Sequence, residues 1–387
     1  MKLLHVGPAQ VMHASGLPKS IFGLASAQAA FGLKAGLLSS SPLTQDLPTK
    51  EIPGVCWLGG PRKSHYNPWL ISADWICYIR EKFGAPDLVN FHSTYIPFHT
   101  ALARRCRQVR WPYVITAHGM MDRLAQNVKR AKKGIANLLF FRAYVEHAEA
   151  VHAFTSSEAE EIRQQFKVRK IITVPNGVDD YLLEASKKLS AADLADFGSE
   201  GHLMLGFVGR IDMYHKGLDL LLNALKILQS QPQGPRCRLF VIGPFHTEKD
   251  ERSFHSMVEL LGLKDDVRLL GAKYGDAKLR HFLACDVFVL TSRFEGMPIS
   301  VLEAMAMGRP CLVTPGTNVS DVVCEGGGWN SQPDPKSIAE AIESIYEKRD
   351  SLKARGQQSH DLIRARFTWE NVAQQLYKEH ARLCSLG

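Results

Sequence analysis

No apolar run in this 387-residue chain approaches the roughly 20 residues that span a bilayer. The opening MKLLHVGPAQ holds one lysine and an apolar stretch too short for a signal peptide, so it reads as a first strand. There is no G-x-x-x-x-G-K-[ST], which excludes a P-loop. No G-x-G-x-x-G follows a strand and opens a helix, and the glycines at Gly326–Gly328 meet neither condition. A nicotinamide-type dinucleotide site is therefore unsupported. The eight cysteines are scattered, and no pair has zinc-ligand or redox-motif spacing. Several, such as Cys311 in PCLVT, sit in apolar strand-like runs, which fits reduced, buried thiols in a cytoplasmic protein. Internal repeats and low-complexity segments are also missing.

What is present is globular: 45% hydrophobic and 22% charged residues, in a chain too long for one ordinary core. Short apolar runs alternate with helical patterns, which argues for parallel βαβ units. The expected strands are KLLHVG, AGLLSS, DLVNFHS, YVITAHG, AVHAFTS and KIITVPNG, then LMLGFVGR, CRLFVIGP, DVRLLG, DVFVLTS and PCLVTPG. Helices are expected at Ser20–Phe31, Leu218–Gln229, Lys278–Ala284 and Lys336–Lys348. The polar stretch Asp180–Ser199 reads as a linker with some local helix. The expectation is α/β, with two doubly wound Rossmann-like domains, residues 1–185 and 186–367, facing a central cleft at the C-terminal ends of their strands. The amphipathic ending, 368–387, would complete the first domain.

The run TSRFEGMPISVLEAMAMGRPCLVT, from Thr291 to Thr314, holds the sharpest signal. After the strand, Glu295 sits in a loop, Gly296 permits the turn, and Pro298 suits a helix start. Gly308 suits its end. The N–H groups of Met297, Ile299 and Ser300 gather near that helix start, where they can meet an anion. Glu303 lies one turn inside, on the face of Ile299. A carboxylate in so apolar a helix needs a partner, either inside the protein or on a ligand.

Other strand ends carry weaker signals. In FVGRIDMYHKG, Arg210 and Lys216 precede a helix, and two cations beside a helix N-terminus suit a diphosphate; a solvated loop with two basic residues reads the same way. In HASGLPKS, Gly16 lets backbone approach a ligand, and Ser20 is placed to cap the following helix. In YVITAHGMMD, His118 ends a strand and can donate a hydrogen bond to a sugar or phosphate, although a lone histidine is more often structural. His92, in NFHSTY, has a similar setting.

Together these pieces resemble the retaining glycosyltransferases of the GT-B fold, family 4, of the bacterial surface-polysaccharide type. The carriers are Ser15–Gly16, HGM at His118–Met120, TSSEAEEIR at Thr155–Arg163, VPNGVD at Val174–Asp179, Val208–Gly217 and EGMPISVLEAMAMGRP at Glu295–Pro310. The final FTWENVAQQL is similar to the family's last helix, which returns to the first domain. The resemblance implies that Gly16 lies under the diphosphate of a nucleotide-sugar donor, and that Arg210 and Lys216 neutralise its charge. It implies that Glu303 accepts from ribose hydroxyls, that Glu295 and His118 contact the transferred sugar, and that backbone at Gly296, Met297, Ile299 and Ser300 holds phosphate and sugar. The base would lie near VRLLGAKY. Pro298 stands where many relatives have glycine, so that position offers no N–H. Retention of configuration also rests on the resemblance. No D-x-D follows a strand, and the expectation is transfer without metal or other cofactor.

The net charge of +8 concentrates between Arg104 and Lys133, where Asp122 is the one acid. Basic residues beside Leu138, Leu139, Phe140 and Phe141 make 123–145 a candidate contact for anionic lipid, which fits a lipid-linked glycan acceptor and a position on the inner face of the plasma membrane. The bland reading is a solvated basic face over the core. Interleaved aromatics and a reading motif are lacking, which argues against nucleic acid. Two rivals stay open: a nucleotide-sugar epimerase or phosphorylase on the same fold, and an idle sugar-nucleotide binding protein.

Overall fold

The structure is a computed structural model that describes residues 1–8, 16–40, 52–59, 71–127, 130–192, 194 and 201–384. At 124, 127, 130–132 and 138 it describes the backbone alone. Ser15 lies outside the described residues, as do Lys129 and the side chains of Arg130, Lys132 and Leu138. The chain divides into two units: Met1–Gly177 with Trp369–Gly387, and Val178–Thr368.

The first unit is built on a seven-stranded parallel sheet. Its strands are β1 (Lys2–Gly7), β2 (Lys34–Ser39), β3 (Val55–Gly59), β4 (Leu88–His92), β5 (Tyr113–Thr116), β6 (Ala150–Ala153) and β7 (Ile171–Thr173), in the order β3-β2-β1-β4-β5-β6-β7. The central strands are legible as continuous apolar runs because helices cover both faces; β4 is buried along its whole length. Their C-terminal ends fall short of the sequence expectation: β5 stops at Thr116, which leaves His118 and Gly119 in the loop beyond it. The first helix begins at Gly16 and runs to Ala30. Ser20 is therefore inside the helix and does not cap it; its hydroxyl donates to Asn176 Oδ1 at 2.6 Å.

The helix Trp369–Cys384 belongs to this unit and fills one face of its sheet. Trp369, Val372 and Leu376 pack with Leu3, Leu88, Val114 and Ile172. The Trp369 ring lies so close to Gly23 and Gly177 that a Cβ on either would sit 2.3 or 2.5 Å from it. Those two glycines are needed for close approach.

The second unit repeats the topology with six parallel strands: β8 (Leu203–Val208), β9 (Cys237–Ile242), β10 (Val267–Leu269), β11 (Val287–Leu290), β12 (Cys311–Val313) and β13 (Trp329–Asn330). Their order is β10-β9-β8-β11-β12-β13. In both sheets the order reverses beside the first strand, between β1 and β4 and between β8 and β11. In doubly wound sheets ligands bind beyond the strand ends at that switch point. The boundary falls earlier than residue 185, because the helix Asp180–Lys188 buries Leu182, Leu183 and Ala185 in the second unit. The two crossing strands of chain meet there: Val178 N–H donates to Phe367 O at 2.9 Å.

The described part of the basic segment is helical, with a π-turn inside it. It runs as Arg123–Asn127, Arg130–Ala136, a π-turn at Asn137–Phe141, and Arg142–Glu146. Phe141 is fully buried in the first core, so it is not a lipid contact. Ile135 and Leu139 are 60% and 69% exposed. No helix among the described residues is long and apolar enough to cross a membrane.

Candidate active site

In the second unit the loops after β8 and β11 meet at the switch point. Gly217 starts the helix Leu218–Gln229 with φ +64°, and a Cβ there would lie 1.9 Å from Thr291 O. Only glycine lets the first loop pass the end of β11 this closely. Thr291 Oγ1 donates to Gly217 O at 2.8 Å and Arg293 N–H to His215 O at 2.9 Å. The Arg293 guanidinium forks onto both oxygens of Asp219, at 2.8 and 2.7 Å, and lies over the Tyr214 ring. This planar, two-bond grip fixes one loop against the other.

Lys216 and Glu295 meet inside that arrangement as an ion pair, each side chain 12% exposed. Ser292 Oγ donates to the same carboxylate at 3.0 Å. Asn318 Nδ2 donates to the Glu295 carbonyl at 2.6 Å. His215 Nε2 donates to Phe294 O at 2.7 Å, and the two rings stack at 4.2 Å. Burial opposes ionisation of Glu295, but Lys216, then His215, then the bonds from Lys216 and Ser292 outweigh it and hold its carboxyl below the usual range. Burial lowers His215 in turn. Arg210 is exposed at the end of β8, with no hydrogen bond or ion pair among the described residues. The lysine thus compensates a carboxylate while the arginine faces outward.

The helix after β11 runs Ile299–Ala306, with Pro298 immediately before it and Gly308 after it at φ +69°. Met297 is buried; Ile299 and Ser300 are half-buried. Glu303 is 6% exposed, and both its oxygens accept from Lys278 Nζ at 2.7 Å. Lys278 comes from the helix Gly275–Ala284 and is itself 8% exposed. The puzzle of an acid in an apolar helix is therefore answered by an internal lysine that the sequence reading missed. Lys278 looks like any helix-surface lysine in GDAKLRHFLA. The usable signal was Glu303 itself, since a buried carboxylate demands a cation.

In the first unit, His118 follows β5 with φ +53°, and Gly119 follows it at φ +75°. A non-glycine residue in this region is held there by its surroundings. Glu158 does the holding: its two oxygens accept from Gly119 N and Phe154 N, each at 2.7 Å. Thr155 caps the helix Ser156–Gln165 by accepting from Glu158 N at 3.1 Å. T-S-S-E has the spacing of a capping box, but its acid reaches back to Phe154 N and across to Gly119 N of the neighbouring loop. Burial raises Glu158 to about 7 despite those donors. His118 keeps some exposure, yet its enclosure, with His152 nearby, lowers it to about 3. His92 Nδ1 lies 3.1 Å from His118 Nε2. At Gly16 a Cβ would meet nothing within 4 Å, so the described residues leave open space beside that helix start. Among the described residues no three His, Cys, Asp or Glu side chains form a metal-binding group.

Comparison with known proteins follows the division of the chain. Residues 14–181 match the profile described as Glycosyltransferase Family 4, and residues 193–361 the profile of Glycosyl transferases group 1. A D-inositol 3-phosphate glycosyltransferase of Geodermatophilus obscurus is 28% identical over 279 residues, 69% of this chain and 61% of its own. The mannosylfructose-phosphate synthase of Agrobacterium fabrum is 29% identical over 217 residues, 54% of this chain and 47% of its own. The chain thus spans about three fifths and about half of these relatives. Among solved structures, a sucrose-phosphate synthase from Thermosynechococcus elongatus aligns over 100% of both chains with a TM-score of 0.77 at 18% identity. HepE from Anabaena, solved in complex with UDP-glucose, aligns over 99% of this chain and 100% of its own with a TM-score of 0.75 at 19% identity.

Proposed function

Because the chain belongs to the GT-B glycosyltransferases, with a family 4 half followed by a group 1 half, we propose that it transfers a sugar from a nucleotide diphosphate sugar to a hydroxyl acceptor. The observation that carries this reading is the switch-point end of the second sheet. There the loop after β8 carries Lys216 and the exposed Arg210. Lys216 forms a buried pair with Glu295 from the loop after β11, and the helix Ile299–Ala306 starts just beyond Glu295. Transfer breaks the bond between the anomeric carbon and the leaving diphosphate, so negative charge grows on the terminal phosphate. Arg210, Lys216 and nearby N–H groups are the donors this reading assigns to that charge. Glu295, already ionised, accepts from hydroxyls of the sugar. Glu303, held by Lys278, is the group this reading assigns to the ribose hydroxyls. Gly16 leaves room for the diphosphate, and His118 contacts a substrate hydroxyl.

Retention of configuration fits a site whose two assigned acids, Glu295 and Glu303, already hold lysines, so neither is assigned as a nucleophile. In the front-face route the acceptor oxygen bonds the anomeric carbon on the side the diphosphate leaves, and the acceptor's proton passes to the departing phosphate. We assign no metal to this chemistry. The acceptor reading is a lipid-linked glycan in bacterial surface-polysaccharide assembly, supported by the exposed Ile135 and Leu139 on a basic segment. A phosphorylated polyol or sugar acceptor is the second reading, favoured by the names of the two relatives.

The test is incubation of the chain with a panel of nucleotide sugars in excess EDTA, followed by release of nucleotide diphosphate. Lipid-linked glycans, inositol phosphates and sugar phosphates form the acceptor arms. The expected result is acceptor-dependent release and a product of unchanged anomeric configuration. Epimerised donor without acceptor, dependence on free phosphate, or donor binding without turnover would replace the proposal with one of its rivals. Loss of transfer in EDTA would overturn the metal-free step, and flotation indifferent to anionic lipid would remove the membrane.

A further inference from the structure

Four buried or half-buried groups in the first unit form an unbroken line. Gln28, fully buried in the helix Gly16–Ala30, places Oε1 2.7 Å from His5 Nε2. His5 Nδ1, on β1, lies 2.9 Å from His92 Nε2 at the end of β4. His92 Nδ1 lies 3.1 Å from His118 Nε2. His5 and His92 are fully buried.

A neutral imidazole has one donor nitrogen and one acceptor nitrogen, so each contact dictates the next. An amide oxygen only accepts, so His5 carries its proton on Nε2. His5 Nδ1 then accepts, and His92 must donate from Nε2. His92 Nδ1 accepts in turn, and His118 must donate from Nε2. That leaves His118 Nδ1 as a bare acceptor, without a partner among the described residues. All three rings then hold the Nε2–H tautomer, which an isolated neutral imidazole also prefers. The reverse polarity, with the Gln28 amide nitrogen donating, would force the less favoured tautomer three times over. Burial keeps the line uncharged: it lowers His5 to about 4 and His92 well below its ordinary value. The line is also a dead end for protons, because an amide does not pass them on.

We propose that Gln28, acting through His5 and His92, is a positioning residue that fixes which ring nitrogen of His118 carries the proton. The relay stands on the apo protein alone; its consequence for catalysis rests on the transferase reading above. That consequence is chemical selection. A bare Nδ1 receives a hydrogen bond from a hydroxyl and repels a phosphate oxygen, which offers no proton. His118 is thereby suited to a substrate hydroxyl and not to the diphosphate.

The experiment is long-range 1H–15N correlation on the full chain labelled in its histidines, near pH 7.5, with His118 assigned from the spectrum of His118→Gln. The expected wild-type signature is a pyrrole-like Nε2 and a pyridine-like Nδ1. Gln28→Met, which preserves volume and removes the acceptor, is expected to draw the two His118 shifts together as tautomers mix. His92→Phe, with circular dichroism to confirm folding, is expected to do the same from nearer the site. A proton found on Nδ1 in the wild type, or His118 shifts unmoved in folded Gln28→Met, overturns the relay. With a donor in hand, kcat/KM of Gln28→Met is expected to fall roughly three- to tenfold, the scale of one hydrogen bond. Tautomer mixing in a chain that never turns over any nucleotide sugar upholds the relay and sinks the transferase reading instead.

Discussion

The two sheets share one topology, yet the ends of their central strands are furnished in opposite ways. The first unit places neutral groups there: His5, His92 and His118, linked by hydrogen bonds, and on β6 His152, whose ring bonds Thr116 and the Val174 carbonyl; burial strips them of charge. The second places ions there: Lys216 with Glu295, Lys278 with Glu303 and Arg293 with Asp219. The fold fixes where chemistry can be displayed; the residues fix whether it is read as hydroxyl recognition or as charge stabilisation. A neutral site discriminates by the direction of protons and an ionic one by field.

The widest break in that comparison comes from the outward cation. Arg210→Ala is expected to lower kcat about 10²–10³-fold, the loss seen when one preorganised donor is removed. Because the side chain is exposed, thermal stability should stay within about 0.5 kcal/mol of wild type. Steady-state kinetics with a melt alongside checks both, and unimpaired turnover would take the charge-stabilising role from this end of the sheet.

Next in size is the pair that the second unit buries. Lys278→Met leaves Glu303 without its cation and is expected to cost about 3–5 kcal/mol in denaturant unfolding. The double variant Lys278→Met/Glu303→Leu should recover most of that stability without recovering transfer. Recovery of both would make the pair purely structural.

Acid should separate the units without any mutation. Histidines held low in the folded state bind protons more readily once unfolded, so stability falls as pH drops from 6.5 toward 4. Glu158 runs the other way. Its folded pKa of about 7 exceeds the ordinary 4.5, so between those values the native state binds the extra proton and stability falls as pH rises. The histidines outnumber it, and the first unit is expected to melt at lower temperature at pH 5 than at pH 7.5. Glu158→Gln should deepen the loss on acidification by removing the opposing group. Calorimetry that finds the first unit's transition unmoved between those pH values would contradict the neutral assignment.

The smallest effect is expected at the latch between the two loops. Arg293→Lys keeps the charge but loses the fork on Asp219, and about 1 kcal/mol of second-unit stability should go with it, measured by chemical denaturation.

Much of this was legible in the sequence. Buried parallel strands are apolar along their length, so β1 was read at its observed bounds and the helix Leu218–Gln229 likewise. β3 and β13 were missed because one is only partly buried and the other is two residues long. The glycine at 308 and the acids at 295 and 303 stood out because their residue types are costly without a reason. Lys278, His5 and His152 did not, although a histidine inside KLLHVG or AVHA is itself a buried polar group in search of a partner.

By itself the sequence determined the two α/β units and the strand ends on which polar residues cluster, since those follow from local periodicity and from what each residue type can do. Only the tertiary structure decided who pairs with whom: that Lys216 faces Glu295, that Lys278 takes Glu303, and that Gln28 begins a line ending at His118. Such partners are brought together by packing between elements distant in the chain. A carboxylate or an imidazole announces that it needs a partner, but the direction and distance of that partner are properties of the packed fold.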